Sequence, residues 1–181
     1  MPAWRLRSSR SSTKATATEL YGRVVAWSRV PWLYGDLGVP DTPEGRLELV
    51  MLHVTLLLER LAREETTGVQ LGRALTETFV TDIDDCLREM GVGDIAVAKK
   101  VNKAAAALYD RSRDYRTAMA GTGNSRLAYV IGEHISAAGG QGRADRLAAY
   151  ARALAERLAA VEIADISAGG IEPPTAADSQ N

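Results

Sequence analysis

The chain has 181 residues and a formal net charge of -1, with 22 basic against 23 acidic side chains. That length suits one domain with its own core, and the near-neutral balance excludes a strong whole-protein attraction to nucleic acid or an anionic membrane. A single cysteine, Cys86, excludes an internal disulfide framework, and no Cys/His cluster has the spacing of a zinc site.

Residues 1–16 read as a disordered basic tail: Arg5, Arg7, Arg10 and Lys14 precede the first acidic residue, Glu19, among many Ser and Thr. Trp4 is a loose anchor there. The Arg/Ser-rich opening resembles a mitochondrial transit peptide in composition, whereas the excess of Arg over Lys and the abundant Ala suit a GC-rich bacterial genome. The expected location is the bacterial cytoplasm, peripheral on the inner membrane, or the matrix side if the chain is mitochondrial. No window approaches the roughly 20 apolar residues of a membrane span.

From Thr18 as N-cap, a helix carries Tyr21, Val24, Val25 and Ser28 on one face until Pro31 stops it. The segment from Val30 to Pro43 reads as a loop, with prolines and glycines throughout. It nevertheless holds Trp32, Leu33, Tyr34, Leu37 and Val39. These side chains either cover the core or form a binding lip. Thr42-Pro43 then starts a central helix of about 44–65, apolar nearly all round from Leu47 to Leu61. His53 within it reads as a hydrogen-bonded core or boundary residue.

After a break at Thr66-Thr67-Gly68, an acidic helix begins near Val69. At about 100° per residue, Leu71, Leu75, Phe79, Ile83, Cys86, Leu87 and Met90 share one arc, which predicts a core-facing stripe and makes Cys86 a small core residue. Asp82 sits inside that arc. It requires a partner, and two readings stand: a structural pair with an arginine or lysine, or membership with Asp84, Asp85 and Glu89 of an acidic surface for a partner. Gly91 suits the left-handed end of this helix and Asp94 the N-cap of the next.

The next helix is basic, with Lys99, Lys100 and Lys103, and points Val97, Val101, Ala104, Ala105, Leu108 and Tyr109 toward the core. Gly121 to Asn124 ends it. A helix from Ser125, a flexible link at 138–142, an alanine-rich helix from Arg143 to about Ile166 and a disordered tail complete the chain. The fold expected is all-α: one domain of about six helices over 17–167 around the central helix, between disordered segments at 1–16 and 168–181.

Catalytic and cofactor chemistry finds no support. Glu133-His134 has the wrong spacing for a di-iron bundle, and Gly-x-Ser-x-Gly is absent. The glycine loops at Gly121 and Gly139 follow no predicted strand, and the Asp/Gly pattern of a calcium loop is missing. No cofactor, no metal, no enzymatic activity and no DNA partner are expected.

Three stretches resemble the ubiquinol-cytochrome c chaperone family: Tyr34-Gly with Leu37-Gly-Val-Pro-Asp-Thr42, Glu44 to His53, and above all Asp82-Ile-Asp-Asp-Cys-Leu-Arg-Glu-Met-Gly-Val-Gly-Asp94 with Val97-Ala-Lys-Lys100. The resemblance covers roughly Tyr21 to Ile135. It implies an all-helical, non-enzymatic chaperone that assists newly made cytochrome b, or another component, into ubiquinol-cytochrome c reductase (complex III). A small partner protein, and contact of the basic tail with membrane or ribosome, belong to the same implication. The residues expected to meet client or partner are Trp32, Leu33, Tyr34, Asp82, Asp85, Glu89, Lys99 and Lys100. A rival reading is a carrier that holds a quinone or acyl lipid in an interhelical cavity lined by Met51, Leu58 and Phe79.

Overall fold

A computed structural model describes residues 3–135, 141–168 and 172–175. The chain is all-α, as expected, with eight helices among these residues. The excess over six comes from two short helices, α2 (Pro31–Gly35) and α8 (Ile163–Ala168).

α3 (Pro43–Leu61) is the axis of the fold. Thr42 caps it through a hydroxyl that accepts the Gly45 N–H at 3.2 Å, and Pro43 occupies the first turn, where no N–H is needed. Its apolar side chains point in all directions because α1 (Ala3–Ser28), α4 (Thr66–Glu89), α5 (Asp94–Met119) and α7 (Gln141–Ala159) all pack on it. Leu49, Met51, Leu52, Val54, Leu56, Leu57 and Leu61 are fully buried. α6 (Ser125–His134) bridges α5 and α7.

His53, Glu48 and Glu59 of α3 each have a partner. His53 is buried, with Nδ1 2.7 Å from the Leu49 carbonyl and Nε2 2.6 Å from the Tyr150 hydroxyl. Only an Nδ1–H tautomer makes both bonds: Nδ1–H donates to the carbonyl, and Nε2 accepts from Tyr150. Burial holds the imidazole neutral by lowering its pKa to about 4. Glu48 receives a two-pronged bond from Arg111 at 2.6 and 3.1 Å, and Glu59 pairs with Arg116 at 2.6 Å, so the basic end of α5 is tied to α3.

Several expectations are corrected. α1 runs from Ala3, within the segment expected as a tail, to Ser28. Thr18 is therefore inside the helix, its hydroxyl on the Lys14 carbonyl at 3.0 Å, and is not a cap. α4 begins at Thr66, with Gly68 in its first turn. A Cβ at Gly68 would lie 2.1 Å from the Leu61 carbonyl oxygen, so the glycine serves close packing rather than a break. The alanine-rich helix ends at Ala159 instead of running to Ile166, and α8 follows. Residues 138–140 of the expected link and most of the expected C-terminal tail lie outside the described residues; Gln141 and Gly142 belong to α7.

Candidate functional site

The first half of α4 behaves as its periodicity requires: Leu71, Leu75 and Phe79 are buried under α1 and α3. Tyr21 of α1 meets Phe79 edge to face, with ring centroids 6.5 Å apart, and its hydroxyl donates to Asp82 Oδ2 at 2.7 Å. Asp82 thus pairs with a phenol and not, as the structural reading held, with an arginine or lysine. The reason is placement: α1 covers the Asp82 side of α4, while Lys99, Lys100 and Lys103 are exposed on α5. Burial and the neighbouring carboxylate both raise the Tyr21 pKa, so it remains a donor.

Beyond Asp82 the core ends but the apolar arc does not. Cys86 is exposed, Ile83 and Leu87 are half-buried, and Met90 is 71% exposed. The expectation of Cys86 in the core is therefore corrected: helical phase aims it correctly, but nothing in the described chain reaches far enough to cover it. Burial nevertheless raises the thiol pKa, with Asp82, Glu89 and Asp85 adding to the shift.

The turn after α4 is tightly built. Gly91 is left-handed at φ +76°, as expected, with Gly91 N–H on the Arg88 carbonyl at 2.9 Å and Val92 N–H on the Leu87 carbonyl at 3.0 Å. Asp94 is the first residue of α5 rather than its cap; Gly93 holds that position. The Asp94 carboxylate suits the positive end of the helix dipole and accepts from Arg88, which also donates to Asp84, both at 2.5 Å. This clamp fixes the end of the α4–α5 hairpin. Ile95, immediately after it, is 91% exposed, and Tyr109 further along α5 is 72% exposed although its phase was read as core-facing.

The hairpin end thus holds Cys86, Met90 and Ile95 in solvent. Asp85 and Glu89 beside them are exposed and form no ion pair among the described residues. The same holds for Lys99, Lys100 and Lys103 on α5.

The lip residues are placed differently. Leu33 is fully buried, Trp32 is half-buried and packs edge to face on Tyr150 at 5.3 Å, and the half-buried Tyr34 donates to the Ser28 carbonyl at 2.6 Å. Their apolar mass is largely spent on the core, because α2 turns the segment inward.

A cleft of about 520 Å³ lies between the C-terminal ends of α3, α5 and α7. It is lined by Arg60, Arg63, Arg116 and Arg152 over Leu56 and Met119. Met51, Leu58 and Phe79, the lining expected of a lipid or quinone cavity, are not part of it, and Met51 and Phe79 are close-packed in the core. Two of its arginines hold backbone instead. Arg60 donates to the carbonyls of Leu158 at 2.9 Å and Val161 at 3.0 Å. Arg152 donates to Met119 at 3.3 Å, Gly121 at 3.2 Å and Gly123 at 2.8 Å, which occupies the glycine loop. Neither role was legible in sequence, since the partners lie far along the chain. Among the described residues no cluster of three or more His, Cys, Asp or Glu is placed to hold a metal, and no helix is long and apolar enough to cross a membrane.

Residues 35–174 match the family model described as ubiquinol-cytochrome C chaperone. The crystal structure of the Cbp3 homolog from Brucella abortus is similar over 98% of each chain, with a TM-score of 0.81 and 29% identity. No curated protein sequence matches the chain.

Proposed function

This chain belongs to the ubiquinol-cytochrome c chaperone family, and from that premise we propose that it holds newly made cytochrome b on the exposed end of the α4–α5 hairpin. The family supports the coarser role, a chaperone in complex III assembly. The observation that carries the finer reading is the apolar arc of α4 that outruns its own core. A helix face this regular, ending in solvent at Cys86 and Met90 and continued by Ile95, suits a surface that something else covers for part of its life.

The chemistry fits capture followed by release. The apolar residues supply area, while the solvated carboxylates of Asp85 and Glu89 attract positive loops of a membrane protein. Exposed charges contribute only about 0–1 kcal/mol per pair, so the hold is reversible without a nucleotide or a covalent step. Asp82 positions the surface by fixing α4 on α1. The half-buried Trp32 and Tyr34 join the contact set through their exposed edges, with Leu33 as support behind them. Lys99 and Lys100 offer a contact of opposite sign for a partner protein, and the cationic start of α1 a contact with membrane or ribosomal RNA. The protein acts without enzymatic chemistry, peripherally at the membrane where its client inserts.

The test replaces Met90 and Ile95 together by Ser in cells that depend on this protein. Cytochrome b captured by crosslinking, and assembled complex III, should both fall several-fold while the level of the chaperone stays normal. Unchanged capture and unchanged complex III would overturn the assignment of this surface.

A further inference from the structure

The α4 end and the outer face of α5 have opposite charge, and Asp85 and Glu89 on the one and Lys99 and Lys103 on the other form no ion pair among the described residues. On α4, Asp85 and Glu89 flank the exposed Cys86 and Met90. On α5, Lys99 and Lys103 flank an outward stripe from Ile95 through Ala98, Asn102 and Ala106 to Tyr109, about 21 Å at 1.5 Å per residue. Every residue of that stripe is exposed. Lys100, beside the buried Val97 and Ala104, lies on the other side of the helix. Asp94, an acidic residue at its start, is already engaged by Arg88.

We propose that these two faces are complementary halves of one interface, and that in the absence of client a second copy of this chain covers them. In a two-fold arrangement the α4 end of each copy lies on the α5 stripe of the other, so one type of contact forms twice and the assembly closes. Asp85 and Glu89 then meet Lys99 and Lys103, and Met90 and Ile95 leave water. Charge decides the occupant. A partner of a single sign, such as an anionic bilayer, would satisfy the lysines but be repelled by the carboxylates on the adjoining helix. A second copy carries both signs in the required pairing. The proposal does not depend on what the client is; any client that takes the α4 end competes with the dimer.

Sedimentation velocity on the purified full chain, without client, tests this. A dimer should form with rising concentration and weaken in high salt. The variants Lys99→Glu with Lys103→Glu, and Asp85→Lys with Glu89→Lys, should each weaken it at least about tenfold. An equimolar mixture of the two should restore a dimer, because each mutated face then finds its opposite. Restoration also shows that both variants are folded. A wild-type chain that stays monomeric at every concentration would overturn the proposal, as would a dimer indifferent to both reversals or reversed chains that fail to recombine. The remaining outcome is a monomer that binds phosphatidylglycerol vesicles and loses them with the lysine reversal; it would assign the lysines to lipid and equally overturn the second copy.

Discussion

Tyr21 and Asp82 show how one hydrogen bond can set a helix in place. Asp82 lies where the covered part of α4 ends, and the phenol satisfies it without the desolvation that a buried ammonium would add. Tyr21→Phe leaves the ring contact with Phe79 but removes the donor, and a loss of about 1–2 kcal/mol in urea unfolding is expected. Asp82→Asn keeps an acceptor and should cost less. A double-mutant cycle on the pair should return a coupling near 1 kcal/mol, and zero coupling would deny the bond any structural role. His53 makes a pH prediction with a definite sign. Its folded pKa of about 4 lies below the ordinary 6.5, so the unfolded chain binds the extra proton. Its contribution is complete above about pH 6.5 and is lost as pH falls toward 4, by up to about 3 kcal/mol. His53→Gln should therefore flatten the wild-type decline in stability over that window; an identical decline in both proteins would assign acid lability to the carboxylates alone.

At the scale of elements, helix ends are finished by groups from elsewhere in the chain. The carbonyls at the end of α7 lack intrahelical partners, and Arg60 of α3 supplies one of them, Leu158, together with Val161 beyond the helix. The guanidinium's fork is what allows both bonds, with Glu64 balancing the charge. Arg60→Lys should therefore fail to rescue Arg60→Ala. Each is expected to lose about 2–3 kcal/mol, and thermal unfolding would show a full rescue by lysine if only charge mattered. The signals at helix ends were legible because they are short-range: Thr42-Pro43, Gly91 and the breaks at Pro31 and Gly121 act within a turn of themselves. Cys86 and Tyr109 were misplaced because periodicity reports the phase of a side chain and not whether a neighbour is long enough to meet it.

For the whole molecule, α3 and its four neighbours form the stable body, and only the end of the α4–α5 hairpin, from Cys86 to Ile95, runs beyond that packing. Hydrogen exchange should reflect this: amides around Leu71, Leu75 and Phe79 should exchange only through global unfolding, while those past Ile83 exchange through smaller openings. Equal protection along α4 would mean that the end is covered in solution. The sequence by itself determined the helical class, the central helix and its cap, the hydrogen-bonded place of His53 and the left-handed turn at Gly91, because repeated apolar spacing and capping chemistry are local. Family resemblance was legible for the same reason, in the contiguous run from Asp82 to Lys100. Only the tertiary structure decided that Asp82 bonds Tyr21, that Leu33 is core, that arginines hold the ends of α7 and the glycine loop, and that the arc of α4 outruns its cover. Those outcomes depend on distances between segments up to about a hundred residues apart, which packing sets and spacing along the chain does not encode.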